Sequence, residues 1–340
     1  MKILVTGAGG RIGTHLSRLL LGEGHEVRAF ALSEDPQLSA LDAAGAQVFV
    51  GDLERPESLA HAVAGVDSVC HLAAALTTHD VSDDRYVDVN LRGTFNLLEA
   101  VRQRAPGLRR FVYTSSDAVY WSTEESGSEP IDETHELLPG TVYGATKVGA
   151  ELLCRSFWRT YGVPFTVMRP TATANPGELV HDESVFGRRW FLGSAIRWLG
   201  GRAEPTAAQT SLLAELRKID DGTEKLFALV AEDGSSSQST LGDARDAAAG
   251  MRAMLEGDAP VGQAFNVGPA APHDDRDLVE HIGRRLGLEV VQVRHWSVRP
   301  SWCISTAKAR RVLGYRPQRS VFSMVDEATS GRTAQEGSSR

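Results

Sequence analysis

Residues 1–13 of the chain read MKILVTGAGGRIG, and this stretch decides the fold. The mainly apolar run at residues 3–6 is too short for a helix and is typical of a buried parallel strand. Gly7, Gly10 and Gly13 then lead into a segment whose apolar residues recur at helical spacing. In such a strand–turn–helix unit, glycines let the backbone approach a ligand, and free N–H groups at the helix N-terminus bind a pyrophosphate. The stretch therefore predicts a dinucleotide site.

Strand and helix patterns continue to alternate along the chain. Short apolar runs predict further strands at residues 26–30, 47–50, 68–72, 111–115, 165–169 and 264–267. Apolar residues at helical spacing predict helices at residues 56–64, 84–104, 141–161, 274–286 and 306–313. This alternation favours an α/β fold with a doubly wound parallel sheet. Ligands of such sheets bind beyond the carboxyl ends of the strands, so functional residues are expected just after each strand.

The alternation weakens after residue 176, which suggests two unequal domains. We expect a dinucleotide-binding domain at residues 1–176 that also carries the catalytic residues. A smaller C-terminal substrate-binding or lid region is expected at residues 177–327, with some segments returning to the core. Residues 328–340 are small and polar, and we expect them to form a disordered tail.

Composition excludes several classes of protein. A net charge of −8 argues against a nucleic-acid surface, which needs a basic footprint. The chain has no apolar stretch near the roughly 20 residues of a membrane span. Cys70, Cys154 and Cys303 are far apart, so neither a disulfide framework nor a zinc site is indicated, and no metal is expected. The N-terminus does not resemble a signal peptide, which favours a cytoplasmic location.

Tyr143 and Lys147 are the strongest candidates for catalysis. They are four residues apart in a predicted helix, so the phenol and the ammonium lie on one face. A tyrosine normally titrates near pH 10. A nearby ammonium and an oxidised nicotinamide would lower the pKa of Tyr143, which would then exchange a proton with a substrate hydroxyl. Ser116 is expected at the carboxyl end of the strand at residues 111–115, where it would orient the reacting oxygen.

The glycine turn, followed by Ser116, Tyr143 and Lys147 in this order, resembles the extended short-chain dehydrogenase/reductase enzymes. The segments Phe265–Gly268 and Lys308–Pro317 resemble the C-terminal signatures of the nucleotide-sugar epimerase/dehydratase group. This resemblance implies a Rossmann fold and a cofactor that is NAD or NADP. It also implies a cofactor site made of Gly7, Gly10, Arg11, Ile12, Gly13, Asp52, Leu53, Leu72, Ala73, Ala74, Tyr143 and Lys147.

Two residues near this site carry alternative interpretations. Asp52 would contact the adenine by resemblance, and the alternative is that it caps the helix that begins at residue 56. His71 is interpreted as a packed, structural histidine rather than a catalyst.

The choice between NAD and NADP is left open by the sequence. The second strand is followed by Ala31 and Leu32, where family members place an acidic residue for the adenosine ribose. Arg11 and Arg28 would favour a 2′-phosphate, yet the usual arginine directly after the strand is absent.

The substrate side departs from the family pattern. Asp117 and Ala118 follow Ser116 where dehydratases of the family have Asp and Glu, so we expect no dehydration. Ser116, Asp117, Asn175 and Arg188 are the candidate substrate-binding residues. Arg188 would bind a diphosphate, or it could form part of a solvated helix face.

Three functions fit these residues. The leading hypothesis is an epimerase of a sugar or nucleotide sugar that oxidises its substrate transiently to a keto intermediate. The alternative is a dehydrogenase or reductase of a sugar, sugar acid or other hydroxy or keto compound with an exchanging cofactor. A non-catalytic dinucleotide sensor ranks last, because both Tyr143 and Lys147 are present. The family resemblance also implies a homodimer, and the helices at residues 84–104 and 141–161 are the candidates for its interface.

Overall fold

The computed structural model describes residues 1–32, 35–76, 81–120, 130–255, 261–298 and 301–336, with side chains up to residue 330. The strands are β1 (Lys2–Thr6), β2 (Glu26–Ala31), β3 (Gln47–Val50), β4 (Ser68–His71), β5 (Arg110–Thr114), β6 (Phe165–Pro170), β7 (Ala172–Ala174), β8 (Leu226–Val230), β9 (Gln238–Ser239), β10 (Leu241–Asp243), β11 (Ala264–Val267), β12 (His273–Asp274) and β13 (Val290–Arg294).

The helices surround these strands. They are α1 (Arg11–Gly22), α2 (Leu38–Ala43), α3 (Pro56–Val63), α4 (Asp83–Tyr86), α5 (Gly93–Arg104), α6 (Val142–Tyr161), α7 (Pro176–Leu179), α8 (Leu192–Gly200), α9 (Ala207–Ile219), α10 (Ala244–Leu255), α11 (Asp275–Leu286), α12 (Ala307–Val312) and α13 (Val321–Glu336). A π-helical segment, Val87–Arg92, joins α4 to α5, and 3₁₀ turns lie at Asp117–Val119 and Gly187–Arg189.

A seven-stranded parallel sheet in the order β11-β6-β5-β4-β1-β2-β3 forms the centre of the molecule. The predicted doubly wound sheet is therefore confirmed. The strand order reverses between β1 and β4, and a ligand crevice opens at such a reversal. Thr6, His71 and Thr114 end three neighbouring strands at this edge.

Both faces of the sheet are covered. On one face α1 packs against α10, with Leu16, Leu20 and Met251 fully buried. On the other face α3, α5 and α6 bury a second cluster that includes Leu97 and Phe157. Parallel strands that are covered on both sides read as continuous apolar runs, which is why the sequence pattern found them.

The region after residue 176 has its own apolar cluster, formed by α7, α11, α13 and β8 with the turn before α8. Its strand β8 pairs with β13, and β9 pairs with β12. Other segments return to the first half of the chain: β11 joins the central sheet and β10 pairs with β7. The boundaries at residues 176 and 327 stay a prediction.

Two elements differ from the sequence analysis. The predicted helix at residues 84–104 is interrupted by the π-helical segment Val87–Arg92. The expectation of a disordered tail from residue 328 is wrong for residues 328–336, because α13 continues to Glu336. Buried Met324 and Val325 anchor that helix at its start. Residues 337–340 lie outside the described residues. Among the described helices, none has the length and apolar character needed to cross a membrane.

Candidate active site

The glycine turn is built so that side chains are excluded from it. Gly7 has a φ of +67°, a conformation that favours glycine. A Cβ built on Gly7 would lie 2.7 Å from the backbone nitrogen of Ala73, and one on Gly13 would lie 2.1 Å from the carbonyl oxygen of Gly7. Gly10 precedes α1 and has no side chain to cap the first amide groups of the helix. Ile12 packs against the core beneath this turn. The cradle fits the pyrophosphate of a dinucleotide.

Asp35 is a candidate that the sequence analysis did not select. A Cβ built on Gly9 would lie within 2.0 Å of three carboxyl atoms of Asp35, so this carboxylate lies against the glycine turn. One Asp35 oxygen accepts the Gln37 N–H at 2.9 Å. The signal in the sequence was an acidic residue four positions after β2 rather than at its end. A carboxylate there suits the ribose hydroxyls of an adenosine and repels a 2′-phosphate.

Arg28 is not a phosphate ligand, so the suggestion that it would favour a 2′-phosphate is wrong. It is 9% exposed, and its Nη1 donates hydrogen bonds to the carbonyl oxygens of His61, Ala62 and Ala64 at 3.1, 2.9 and 2.8 Å. These carbonyls end α3, where a cation stabilises the helix dipole. The guanidinium also lies 5.4 Å from the ring centroid of Phe49. Arg28 therefore has a structural role.

Arg11, at the first position of α1, is paired with Glu178. Its Nε lies 2.7 and 2.8 Å from the two carboxylate oxygens, and its Nη2 lies 2.6 Å from one of them. Arg11 thus follows the glycine turn with its guanidinium engaged by a carboxylate, and its contact with a cofactor stays a prediction.

The third strand ends in Asp52, which was assigned to adenine binding or to a helix cap. One of its carboxylate oxygens accepts the N–H of Glu54 at 3.0 Å, and its own N–H donates to Ser58 at 3.1 Å. Asp52 thus organises the turn that enters α3, although Arg55 is the capping residue. Leu53 is buried beneath Gly93. The contact of Asp52 and Leu53 with the adenine stays a prediction.

The segment after β4 lies directly over the glycine turn. The N–H groups of Leu72 and Ala73 donate to the Thr6 hydroxyl at 3.2 and 3.3 Å, and Ala74 continues the segment. His71 is 1% exposed and hydrogen-bonded to Thr6 and Thr94, and burial lowers its pKa to about 3. A neutral imidazole that is hydrogen-bonded at both nitrogens agrees with the structural interpretation of His71.

Asn90, in the π-helical segment, fixes the next part of this wall. Its amide accepts the N–H of Ala75 at 2.8 Å and donates to the carbonyl oxygen of the same residue at 3.1 Å. It also donates to Thr146 on α6 at 3.4 Å. The cofactor-side wall is therefore attached to the helix that carries Tyr143 and Lys147.

Ser116, Tyr143 and Lys147 meet at the carboxyl end of β5. Ser116 is 9%, Tyr143 8% and Lys147 3% exposed. The Thr141 hydroxyl caps α6 by accepting the N–H of Gly144 at 3.1 Å, which sets Tyr143 in the first turn. The Lys147 ammonium donates to the carbonyl oxygen of Thr114 at 3.0 Å and lies 5.7 Å from the Tyr143 ring centroid.

The charges of this group differ from the expectation. Burial raises the pKa of Tyr143, an effect that a hydrogen bond with Ser116 opposes and Asp117 reinforces. Burial also lowers the pKa of Lys147 to about 7, against the attraction of Glu151. The phenol is thus protonated in the protein alone and can donate a proton to a carbonyl oxygen. The predicted lowering of its pKa would need the positive charge of an oxidised nicotinamide.

Asp117 lies beside Ser116 and carries an unusual pair of neutral partners. One of its oxygens accepts from the Ser116 hydroxyl at 3.2 Å and the other from the indole N–H of Trp302 at 3.2 Å. Burial raises the pKa of this carboxyl, and the two hydrogen bonds oppose the shift. No sequence pattern pointed to Trp302, which reaches the site from near the C-terminus.

A buried ion pair lies one helical turn beyond Lys147. Arg169 is joined to both oxygens of Glu151, from Nε at 2.9 Å and from Nη2 at 2.6 Å. Its Nη1 donates to the Tyr120 hydroxyl at 2.7 Å, and that hydroxyl donates to Asn266 at 2.8 Å. The network connects α6, β6 and β11 beneath Tyr143 and Lys147.

The other two substrate candidates lie in different environments. Asn175 accepts a hydrogen bond from the His15 imidazole at 2.9 Å and starts α7, so it lies against α1 near the glycine turn. The guanidinium of Arg188 lies 4.7 Å from the ring centroid of Trp198. Their contact with a substrate stays a prediction. Among the described residues, no group of three or more His, Cys, Asp or Glu side chains is arranged to hold a metal ion.

Among the proteins that this chain resembles, two match most of its length and are described first. The chain is 28% identical to a 2-alkyl-3-oxoalkanoate reductase of Stenotrophomonas maltophilia, over 84% of this chain and 76% of the relative. Its structure resembles a short-chain dehydrogenase/reductase superfamily protein of Agrobacterium tumefaciens solved with bound NAD. That pair has a TM-score of 0.86 and 30% identity, over 100% of this chain and 99% of the other.

Other relatives match less closely. A 3-beta-hydroxysteroid dehydrogenase of Mycolicibacterium neoaurum is 33% identical, but the match spans only 54% of this chain and 51% of that enzyme. A dTDP-glucose 4,6-dehydratase of Streptomyces venezuelae, solved with NAD, has a TM-score of 0.74 and 25% identity, over 99% of this chain and 98% of the other.

The family assignment follows from the sequence itself. Residues 3–268 match the model of the NAD dependent epimerase/dehydratase family. They include the glycine turn, Ser116, Tyr143 and Lys147. The chain therefore belongs to the NAD-dependent epimerase/dehydratase family, within the short-chain dehydrogenase/reductase superfamily.

Proposed function

We propose that the protein is an NAD-dependent dehydrogenase or reductase that acts at a carbinol or carbonyl carbon and exchanges its cofactor between turnovers. The observation that carries this proposal is the meeting of Ser116, Tyr143 and Lys147 at the sheet edge beside the glycine turn. NAD supplies the hydride acceptor, and its reduced form the hydride donor. Tyr143 exchanges the proton with the substrate oxygen, and Ser116 orients that oxygen.

NAD is favoured over NADP by two side chains. The Asp35 carboxylate lies against the glycine turn, where it repels a 2′-phosphate. Arg28, the basic residue of β2, donates its hydrogen bonds to carbonyl oxygens at the end of α3 and not toward the cofactor site. Relatives solved with NAD support the same choice.

A dehydrogenase or reductase is favoured over the epimerase that the sequence analysis ranked first. A relative that matches 84% of this chain is named as a reductase. An epimerase remains the second candidate, on the strength of the family match. Dehydration is disfavoured because Ala118 stands where the elimination base would be.

For the substrate, we propose a neutral hydroxy or keto compound, with a sugar as one member of this class. Asp117 accepts hydrogen bonds beside Ser116, so it suits a second hydroxyl of the substrate and repels an anionic group. A nucleotide sugar would require a cation for its diphosphate, and Arg188 is the candidate.

We also propose a homodimer through α5 and α6. Phe95, Leu152, Trp158 and Tyr161 of these helices are 45, 60, 39 and 54% exposed. Exposed apolar and aromatic side chains on these two helices favour an interface. A cytoplasmic location stays a prediction.

The first experiment identifies the nucleotide in freshly purified, denatured protein and then measures NADH binding by fluorescence. An empty site that binds added NADH supports an exchanging cofactor, whereas near-stoichiometric retained NAD supports the epimerase.

The second experiment tests catalysis by Tyr143 with a panel of hydroxy and keto compounds. Tyr143→Phe should lower turnover about 10²- to 10⁴-fold, because it removes the proton donor, and should leave NADH binding within about threefold. Tyr161→Phe, an exposed change on the same helix, should leave both unchanged. Retained turnover in Tyr143→Phe would overturn the catalytic assignment.

A further inference from the structure

The Arg11–Glu178 pair joins the glycine turn to the substrate side of the cleft. Arg11 begins α1, whereas Glu178 lies in α7, which follows β6 and β7. Three nitrogen–oxygen distances of 2.6 to 2.8 Å make the contact bidentate. The two side chains are only 25 and 23% exposed, so solvent screens this pair less than a surface pair.

The surrounding contacts fix both partners in place. The same Glu178 carboxylate accepts the N–H of Asn175 at 2.8 Å and closes the capping box of α7. The Arg11 guanidinium lies 5.7 Å from the ring centroid of Phe186. One turn further along α1, His15 hydrogen-bonds Asn175 at 2.9 Å. Glu178 therefore stays beside Arg11, because the N–H of Asn175 holds its carboxylate and His15 attaches Asn175 to α1.

This arrangement places a negative charge where an anionic ligand is expected. The uncapped N-terminus of α1 and the Arg11 guanidinium are the positive features beside the glycine turn. Glu178 neutralises one of them. A pyrophosphate at this helix end must share Arg11 with the carboxylate and is repelled by its charge.

We propose that Glu178 determines how tightly the enzyme holds its dinucleotide: it competes with the pyrophosphate for Arg11 and thereby keeps the cofactor exchangeable. This inference rests on the proposed function, because only an enzyme that exchanges NAD(H) benefits from a weakened site. Glu178 thus sets the affinity for the dinucleotide although it lies in α7, outside the glycine turn.

The test is a fluorescence titration with NADH, together with stopped-flow measurement of NADH release, on the full-length protein. Glu178→Gln keeps the shape and one acceptor for the Asn175 N–H but removes the charge. We expect NADH to bind about five- to tenfold more tightly, mainly through slower release, as removal of one like charge near a phosphate implies. The gain should diminish as ionic strength rises.

Three controls separate this role from a structural one. In an Arg11→Met background, Glu178→Gln should change NADH affinity by less than about twofold, since the competed cation is gone. His15→Gln breaks the neighbouring tether without removing a carboxylate and should not tighten NADH binding. Adenosine, which has no phosphate, should bind the native chain and Glu178→Gln equally.

The outcomes are distinct. Unchanged or weaker NADH binding by Glu178→Gln overturns the inference, as does an equal gain for adenosine or in the Arg11→Met background. Failure of the native protein to bind NADH at all would instead contradict the proposed function. Circular dichroism of each variant shows whether it has folded.

Discussion

Replacing Glu151 by Gln should show how much the buried ion pair between Glu151 on α6 and Arg169 on β6 contributes to stability. The Glu151 and Arg169 side chains are 10 and 6% exposed, and the pair is bidentate. Gln retains the size of the side chain and one acceptor oxygen. It removes the negative charge and one of the two hydrogen bonds, and so leaves a buried guanidinium without its counter-charge.

The magnitude follows from what Arg169 keeps. Removing one partner of a buried pair costs about 3–5 kcal/mol, most of it from the uncompensated charge. Arg169 keeps its hydrogen bond to the Tyr120 hydroxyl at 2.7 Å and keeps one of its two bonds to residue 151, through the remaining amide oxygen. We therefore expect Glu151→Gln to lower the free energy of unfolding by about 2–3 kcal/mol.

Urea unfolding followed by circular dichroism measures this change, with Glu99→Gln as the matched control. Glu99 and Arg102 form the same type of pair on α5, but their side chains are 30 and 38% exposed. Because solvent screens such an exposed pair, the pair contributes little to stability, and Glu99→Gln should unfold at the same urea concentration as the native chain. If both variants unfold at the same concentration, or if Glu151→Gln costs less than about 1 kcal/mol, burial of the pair is not what stabilises it.

Two further predictions concern Lys147 and the helical surface. The Lys147→Met variant should have no turnover, and at pH 7 it should unfold at a urea concentration at least as high as the native chain does. Burial lowers the pKa of Lys147 from 10.5 to about 7, so between these pH values the unfolded chain binds a proton that the folded chain does not, and the native chain becomes more stable as pH rises. The stability that Lys147→Met gains over the native chain should therefore shrink from pH 7 upward. A gain that grows with pH would contradict this direction of the pKa shift. Leu152→Glu, on the exposed face of α6, should convert a dimer to a monomer in light scattering, whereas Leu138→Glu, an equally exposed change outside that face at 51% exposed, should not. Identical masses for Leu152→Glu and the native chain would refute the α5–α6 interface.

The fold and the central chemistry could be predicted because their signals are local. A glycine turn between a strand and a helix, and a Tyr/Lys pair at helical spacing, each depend on a few neighbouring residues. The doubly wound parallel sheet followed from the same alternation.

What the sequence could not reveal are contacts between distant positions. Glu178 reaches Arg11 across 167 residues, and Trp302 reaches Asp117 across 185. Arg28 was misread for the same reason, since its partners at the end of α3 lie 33 to 36 residues away. The polar composition after residue 328 also gave no sign that the end of α13 continues a buried helix, because tertiary packing decides such cases.

The π-helical segment Val87–Arg92 has a consequence for the length of the chain at this point. A π turn contains about one residue more than an α turn and accommodates it in a wider turn, so the helices on either side stay in phase with each other. Deleting a single residue here would therefore restore a regular α-helix and leave Leu97 and Leu98 of α5 in the core, but it would remove the wide turn from which Asn90 holds Ala75. The extra residue thus serves the position of the Asn90 amide and not the packing of the core.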